Sequence, residues 1–308
     1  MAGKNRTTSL IVELVVIAAI VAGFMYVGSD YLRMNKENSE LNANIDSLQQ
    51  EINRMREEEE MSAAAIVEKE GKLAEMQSLP ERITAQREEY YAVCKQLEDR
   101  VLEGTANYKI AYMTFDDGPY VGMTEKYLQV LEDYGILATF FEIAREGEEY
   151  DPIYHKVYEA GHTIANHTYG HQMKGYLYES VDNFVNDIIK NREFIQEKLG
   201  ITTNIMRFPG GAGSAGSLKP GIVEKLRELG YGYVDWTAAT GDGIGVYSVE
   251  DSIENVLHTY NWGGDLQVVL MHDYSPNSLE ALPVVLDAFK EQGYIFLPLF
   301  YESSVIIK

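Results

Sequence analysis

The sequence contains one cysteine and few basic residues, and each shortage excludes a class of protein. Its 308 residues include 26 Lys and Arg against 48 Asp and Glu, for a formal net charge of -22. A single cysteine cannot form a disulfide within the chain, and it excludes C-x-x-C zinc or redox motifs. A nucleic-acid partner is disfavoured, because binding phosphates requires clustered Lys and Arg. With 45% hydrophobic residues, the chain still has enough apolar side chains to fold around a core.

Long apolar runs are also scarce, with one exception near the N-terminus. Residues 10–27 form an apolar run interrupted only by Glu13, and as a helix this run would reach ~27 Å, about the thickness of the bilayer hydrocarbon. A cleaved signal peptide is the alternative, but no small-x-small cleavage site follows the run. Lys4 and Arg6 bias the N-terminus only slightly toward the cytoplasm. We therefore expect an uncleaved, single-pass membrane anchor over residues 1–29.

Residues 30–104 nearly lack glycine and proline, which is typical of continuous helix. Only Gly71 and Pro80 interrupt this stretch before Gly104, and charges of both signs are dense. A heptad numbered from Tyr31 at position a runs through the whole stretch and predicts a coiled-coil stalk. The apolar residues at position a are Ile45, Ile52, Ile66, Leu73, Cys94 and Val101, and those at position d are Met34, Leu41, Leu48, Met55, Met76, Ile83, Tyr90 and Leu97.

The same heptad predicts an oligomeric state. Isoleucine at a with leucine at d favours two parallel strands, and Asn38 lies at an a position, where a polar residue often fixes the register. We therefore expect a parallel homodimer in which Cys94 faces its copy. The alternatives are a solvated helix or linker, because Glu59 and Lys69 fall on the seam, and a hairpin that turns at Pro80.

From residue 105 to residue 308, short β-rich runs alternate with amphipathic helices. This alternation implies parallel strands with helices outside them. Helices are predicted over 124–134 and 278–292, the second with Ser278 as its N-cap. Seven such units over about 200 residues favour a distorted (β/α)7-type barrel in the α/β class over an open doubly wound sheet, and either fold gathers its site at the C-terminal ends of the strands. The predicted strands are 110–115, 138–141, 163–166, 205–208, 232–236, 267–271 and 295–299.

Residues capable of chemistry follow one predicted strand after another, so the barrel would bring them to one rim. Two imidazoles spaced H-x-x-x-H and one carboxylate form a ligand set for a divalent metal that leaves positions open for water and substrate, as a catalytic zinc site requires. Asp117, His167 and His171 fit this pattern. Asp116 would then act as a general base toward water, and His272 as the matching general acid.

Two further residues are expected to tune this acid and base. Arg207 would hold Asp116 ionised and oriented, and Asp242 would raise the pKa of His272 so that it carries a proton at neutral pH. The other histidines lie within or before predicted helices and strands rather than after them. We interpret these as structural residues: His155, His162 and His258.

Five ordered motifs in this region resemble the polysaccharide deacetylases of carbohydrate esterase family 4, also called the NodB homology domain. The motifs are TFDDGP at 114–119, GHTIANHTYGH at 161–171, RFPGG at 207–211, DWTAATGD at 235–242 and LMH at 270–272. The resemblance covers roughly residues 108–300. It implies the same roles for the residues above, a wall of an acetyl-methyl site at Leu270, and oxyanion binding by the backbone N–H of Gly210.

One departure from the family pattern concerns the sugar-binding groove. In many members a tryptophan directly follows the aspartate of the fourth motif, whereas Gly243 follows Asp242 here. Trp236 lies earlier in that motif and would have to line the groove instead.

Together, these features predict a membrane-anchored, metal-dependent deacetylase, with Zn²⁺ or another divalent ion such as Co²⁺ as cofactor. The expected substrate is the N-acetyl group of N-acetylglucosamine in an extracytoplasmic glycan, with peptidoglycan favoured. Two alternatives remain open: an O-acetyl esterase that uses the same residues, and a non-catalytic carbohydrate-binding protein of the cell envelope.

Overall fold

The structure is a computed structural model, in which residues 33, 35–39, 42, 47–50, 79–245, 248–258 and 263–308 are described. The chain divides into two compact units, Met1–Tyr90 and Tyr91–Lys308. The described residues of the first unit are helical, in agreement with the helix predicted there. The predicted anchor at 10–27 and about half of the predicted stalk lie outside the described residues. Within the described ranges, no helix has the length and apolar character needed to cross a membrane.

The second unit is built on parallel strands, as the sequence predicts. The order across the sheet is β5-β4-β3-β2-β1-β7-β6, and β8 also pairs with β1. The coarse expectation of a parallel (β/α) barrel is therefore confirmed. The strands are β1 Lys109–Gly118, β2 Thr139–Glu142, β3 Thr163–Asn166, β4 Ile205–Met206, β5 Gly232–Tyr233, β6 Ala238–Ala239, β7 Leu266–His272 and β8 Tyr294–Phe296.

The barrel is distorted at two places. β7 pairs with β1 from Ile110 to Asp116 on one edge, whereas β8 and β2 divide the other edge, with β8 at 109–111 and β2 at 114–118. On the opposite side, β5 and β6 are not hydrogen-bonded to each other in the described chain, and β5 instead meets Ile307 through an antiparallel bridge. The sheet is thus a curled, incompletely closed barrel.

Helices alternate with these strands. Their bounds are α1 Leu79–Leu102, α2 Thr124–Tyr134, α3 Asp151–Glu159, α4 Val181–Leu199, α5 Lys219–Glu228, α6 Val249–Leu257 and α7 Pro276–Glu291. The predicted bounds of α2 are confirmed, but Ser278 is not the N-cap of α7. The N-cap is Ser275, whose hydroxyl accepts from the Ser278 N–H at 3.2 Å. Ser278 lies three residues into the helix, so its own hydroxyl can reach another partner.

The core lies between the sheet and the apolar faces of the helices. Phe115 on β1 stacks on Phe140 of β2 with ring centroids 4.9 Å apart, and Tyr127 of α2 packs edge-on against Phe115. All three rings are buried. Burying side chains of this size is the largest contribution available to a fold with short strands.

The last part of α1 packs within the second unit, which changes one expectation. Cys94, Leu97 and Val101 are buried, and Tyr91 hydrogen-bonds Thr163 on β3 at 2.7 Å. Glu98, also buried, accepts from the Ser304 N–H at 2.8 Å. The heptad positions at the end of the predicted stalk are therefore used for packing inside one chain. The expectation that Cys94 faces its copy is wrong, because the thiol is covered by its own chain.

Candidate active site

The predicted site residues lie at or just beyond the C-terminal ends of parallel strands. Because these ends share one rim of the barrel, residues up to 156 positions apart become neighbours. Asp116 and Asp117 end β1, and His272 ends β7. The others follow their strands: His167 and His171 after β3, Arg207 after β4, and Asp242 after β6.

A β-bulge allows the two consecutive aspartates of β1 to serve one site. In a regular strand, neighbouring side chains point to opposite faces of the sheet. Here Asp116 pairs with Phe141 and Gly118 with Glu142, so that Asp117 is an extra residue, with φ 72°. Such a bulge bends the strand and redirects its side chain. Asp116 remains buried beside the sheet, whereas Asp117 turns toward the two histidines.

Asp117, His167 and His171 form a group that fits a divalent metal. Their ligand atoms lie within 4.8 Å of one another. The Asp117 Oδ1 atom is 3.4 Å from His167 Nε2 and 3.3 Å from His171 Nε2, and this buried oxygen has no hydrogen-bond donor. A buried carboxylate oxygen without a donor between two imidazole nitrogens is poorly satisfied by protein atoms alone and well satisfied by a cation.

The protonation state of His167 suits a ligand. Its Nδ1 atom lies 3.0 Å from the Arg207 carbonyl oxygen, so Nδ1 carries the proton and Nε2 presents a lone pair toward Asp117. Burial, together with the nearby positive groups, lowers the pKa of His167 to about 3. The ring is therefore neutral at physiological pH, the form that coordinates metal.

Backbone strain in the described chain is concentrated at this group. The non-glycine residues with positive φ there are Asp117, Thr168 and His171. Such conformations are costly and persist only when the surroundings hold them. The Thr168 N–H donates to Asn166 Oδ1 at 2.9 Å, and Asp187 of α4 accepts from the N–H groups of residues 169 and 170 at 2.8 and 3.0 Å. The loop between the two histidines is thus held by hydrogen bonds to Asn166 at the end of β3 and to Asp187 on α4.

Asp116 and Arg207 form a buried pair beside the group of Asp117, His167 and His171. Arg207 Nη1 donates to Asp116 Oδ1 at 2.8 Å and to Thr114 Oγ1 at 2.7 Å, and its Nε donates to the Val234 carbonyl at 3.1 Å. Burial raises the pKa of Asp116, and the Arg207 guanidinium opposes that rise without reversing it. Arg207 therefore orients the carboxylate as expected, although it does not bring the pKa of Asp116 below its usual value. The second oxygen, Oδ2, is 3.6 Å from His167 Nε2 and faces the site.

His272 and Asp242 form the second pair. His272 Nδ1 is 2.6 Å from Asp242 Oδ1, and the His272 N–H donates to Asp242 Oδ2 at 3.0 Å. Burial opposes the charged imidazole, but the Asp242 hydrogen bond and the nearby carboxylates outweigh it and raise the pKa of His272 to about 9. The opposite ring nitrogen, Nε2, is 3.7 Å from Asp117 Oδ2. When His272 is protonated, its Nε2–H therefore faces Asp117.

The three residues expected to contact substrate lie in different settings. Gly210 is exposed with φ 69°, and Trp236 is partly exposed, with its ring close to Gly211 and 5.8 Å from the Arg207 guanidinium carbon. Leu270 is 7% exposed on β7 and pairs with Thr114 on one side and Ala239 on the other. Their substrate-binding roles remain predictions.

A close contact with His272 explains why a glycine follows Asp242. A Cβ atom at Gly243 would lie 2.6 Å from His272 Cε1, closer than real Cβ contacts allow. The wall beside His272 is instead aromatic: the Tyr274 ring lies 5.1 Å from the His272 ring, and Tyr120 packs edge-on against Tyr274 at 5.2 Å.

Two buried carboxylates near the site were not predicted from the sequence. Glu142 and Asp273 are both fully buried and approach each other beside Gly118, where a Cβ atom would lie 2.8 Å from Glu142 Oε2 and 2.7 Å from Asp273 Oδ2. Thr124 donates to Asp273. Burial raises the pKa of Asp273 to about 7, and burial together with Asp273 raises that of Glu142 well above its usual value.

Two buried polar residues of α4 that hydrogen-bond near the site were also not predicted, although the sequence carries a signal for them. Asp187 and Asn191 lie on the buried stripe of α4 that includes Phe184 and Ile188, and a polar residue on an apolar helix face indicates a specific partner. Asn191 donates to Glu142 O and Asn166 Oδ1.

The histidines interpreted as structural lie outside this group. His162 is buried and accepts from the Ala138 N–H at 3.0 Å, His155 lies within helix α3 near Glu159, and His258 caps the C-terminus of α6.

Comparison with known proteins agrees with this geometry. The family model described as polysaccharide deacetylase matches residues 103–234. A peptidoglycan-N-acetylglucosamine deacetylase of Bacillus cereus is 32% identical over 201 residues, which cover 64% of this chain and 71% of the relative. The chain spans about two thirds of the length of this protein and of two other curated relatives that it matches.

Solved structures give the same result. The catalytic domain of a peptidoglycan N-acetylglucosamine deacetylase from Eubacterium rectale matches with a TM-score of 0.60 and 30% identity, covering 66% of this chain and 93% of that domain. A family 4 acetyl xylan esterase from Clostridium thermocellum, solved with a cobalt ion, matches with a TM-score of 0.52 and 26% identity over 62% of this chain and 88% of that one. With the motifs, the fold and the site in agreement, the chain belongs to the polysaccharide deacetylase family of carbohydrate esterase family 4 hydrolases.

Proposed function

We propose that this chain hydrolyses N-acetyl groups from N-acetylglucosamine residues of an extracytoplasmic glycan, with peptidoglycan as the substrate. The observation that carries the proposal is the convergence of a metal-binding group, an Arg-paired carboxylate and an Asp-paired histidine around one point. The peptidoglycan deacetylases named above support the choice of glycan, since the Bacillus cereus protein is 32% identical to this chain over 201 residues and the Eubacterium rectale domain shares its fold.

A divalent metal, for which we propose zinc with cobalt as a substitute, would be held by Asp117, His167 and His171. Such an ion lowers the pKa of water and polarises a carbonyl oxygen. The neutral His167 ring and the Asp117 oxygen without a donor fit this role.

Asp116 and His272 would divide the proton transfers. The Asp116 carboxylate, oriented by Arg207, accepts a proton from the water that attacks the acetyl carbonyl carbon. His272 then donates its Nε2 proton to the nitrogen of the departing sugar amine as the carbon–nitrogen bond breaks. The products are acetic acid and the free amine, and transfer of the proton from Asp116 back to His272 returns both groups to their starting states, so that atoms and charge balance with water as the only co-reactant.

Three residues would hold the substrate. By the family resemblance, the Gly210 N–H would bind the oxyanion, and Leu270 would contact the acetyl methyl group. Trp236, which is partly exposed near Gly211, would contact the sugar. Alanine at Trp236 should raise KM for an oligomeric glycan more than it lowers kcat.

O-acetyl ester hydrolysis is the second candidate, supported by the likeness to an acetyl xylan esterase. Acetate release should be measured side by side from N-acetylglucosamine oligomers, purified peptidoglycan and acetylated xylan. We expect the highest kcat/KM on one of the N-acetylated substrates. A preference for xylan would replace the amidase proposal, and no turnover on any substrate would favour a carbohydrate-binding protein.

We also propose that residues 10–27 anchor the chain in the cell membrane with the barrel outside, because a wall glycan is reached only from that side. The full-length chain should then resist carbonate extraction. Protease added to cells stripped of wall should release a fragment of the barrel's size. Protection of the barrel would reverse the proposed topology and exclude a wall substrate.

A further inference from the structure

The Asp242 carboxylate has a third donor besides the two groups of His272. The Ser278 hydroxyl lies 2.5 Å from Asp242 Oδ2 and 3.2 Å from Thr240 Oγ1. Since an ionised carboxylate only accepts, the Ser278 hydroxyl donates to Asp242. Both carboxylate oxygens are therefore engaged, Oδ1 by the His272 ring and Oδ2 by the His272 N–H and Ser278.

The backbone that carries Asp242 does little to fix the carboxylate. Asp242 lies beyond the two-residue strand β6, outside any regular element. It is flanked by Gly241, with φ 83°, and Gly243. Rotation about the terminal torsion of an aspartate has broad minima, so the plane of the carboxylate depends on its hydrogen-bond partners. Two of those partners belong to His272, the residue that Asp242 is expected to orient.

Ser278, by contrast, is attached to a rigid element. It is fully buried in the first turn of the 16-residue helix α7, and its N–H is capped by Ser275. The same helix buries Leu282, Val285 and Phe289 in the core. Its hydroxyl is therefore the donor to Asp242 that is fixed independently of the site.

We propose that Ser278 is a positioning residue: its hydroxyl fixes the Asp242 carboxylate, which in turn fixes the His272 ring for proton transfer. This inference rests on the proposed function in so far as His272 acts as the acid. It ties the geometry of the acid to helix α7 rather than to the irregular segment that carries Asp242.

The test compares the full-length chain with Ser278→Thr and Ser278→Val, two substitutions of nearly equal shape that differ by the hydroxyl. Ser278→Ala is added in case the larger side chains disturb packing. We expect Ser278→Val and Ser278→Ala to lower kcat about ten-fold or more with little change in KM, because a hydrogen bond to a charged group is lost. Ser278→Thr should retain most of the wild-type kcat. The matched control is Ser252→Ala, a buried helical serine whose hydroxyl donates to the Ser248 carbonyl within α6.

A double substitution separates positioning from a purely structural role. In an Asp242→Asn background, Ser278→Ala should cost little further kcat, because the two residues act in series. Independent, additive losses would overturn the proposal. Equal kcat values for Ser278→Thr and Ser278→Val would overturn it as well.

A second readout does not depend on turnover. In the full-length protein labelled with ¹⁵N-histidine, the His272 Nδ1 proton should give a far-downfield signal, identified by its loss in His272→Ala. We expect Ser278→Ala to shift this signal and Ser252→Ala to leave it in place. If wild-type protein releases no acetate but the signal shifts, the proposed function fails and the positioning role stands. A signal that Ser278→Ala leaves unchanged overturns the positioning role whatever the activity.

Discussion

Asp116 and His272 are register partners on the parallel strands β1 and β7. The proposed base and the proposed acid are therefore neighbours across two paired strands, and Asp117 Oδ2 lies 3.7 Å from His272 Nε2. Such an arrangement is rigid, because main-chain hydrogen bonds rather than loop contacts set the separation of the two groups.

The pH dependence of acetate release should follow from this pair. Catalysis needs Asp116 ionised and His272 protonated, so the rate should rise with pH through the pKa of Asp116 and fall through that of His272, which is raised to about 9. His272→Ala should remove the alkaline limb and lower kcat by about 10²- to 10⁴-fold. Initial rates from pH 4 to pH 10 check this.

A substitution at Asp116 tests the assignment of this residue as the general base. Asp116→Asn should lower kcat by a similar factor while metal content, measured by elemental analysis, stays at the wild-type level. Near-normal turnover in this variant would show that another group accepts the proton.

Metal binding should depend on His171 but not on a histidine outside the site. His171→Ala removes one of three ligands and should reduce zinc or cobalt affinity by orders of magnitude, with loss of activity. Chelation of the wild type should abolish acetate release, and added zinc or cobalt should restore it. The control is His155→Ala, which lies on α3 away from the site. Full activity in verified metal-free protein would contradict the mechanism.

The stability of the fold should depend on Asp273 in a defined pH window. Its pKa is near 3.9 in an unfolded chain and is raised to about 7 by burial, so its favourable contribution is complete below about pH 4 and is lost as the pH rises through 7. Asp273→Asn should therefore gain stability relative to wild type across this window, by up to about 4 kcal/mol. Urea unfolding at several pH values measures it.

An exposed aspartate provides the comparison for this prediction. Asp133→Asn on α2 removes the same charge from the surface. The difference between the two variants in the free energy of unfolding should change between pH 4 and pH 8. If Asp273→Asn behaves in the same way as Asp133→Asn, Asp273 is not protonated in the native state.

The Cys94 thiol should be inert in the folded chain. It is completely buried, so a thiol reagent should react at a rate limited by opening of the protein and quickly after denaturation. Mild oxidation should give no disulfide-linked dimer. Rapid labelling of native protein, or a crosslinked dimer lost in Cys94→Ser, would show that the end of α1 leaves the barrel.

Much of the fold could be predicted because its signals are local. Helix α2 has the bounds that its apolar stripe predicts, and the parallel alternation follows from strand and helix patterns alone. β6 was missed because two alanines carry no strand pattern, and its pairing with Val269 and Leu270 is a tertiary contact. A heptad pattern indicates an apolar stripe on a helix, but it does not identify the surface that packs against the stripe. The packing of Cys94 could therefore not be predicted.

The residues of the candidate site were likewise predictable only where the signal is local. Residues that follow strands, such as Asp117 and His272, could be predicted because a barrel brings strand ends together. Ser278 and Asp273 could not, since their meaning depends on partners 36 and 149 positions away. A serine in a first helical turn has an adequate local explanation as a cap, and that explanation was wrong here.

The close approach of Gly243 to His272 has a consequence for redesign. A Cβ atom at position 243 would lie 2.6 Å from His272 Cε1, so a side chain there requires either the loop that carries Asp242 or the His272 ring to move. An aromatic residue introduced at position 243 should therefore be combined with a compensating change in the loop that carries Asp242.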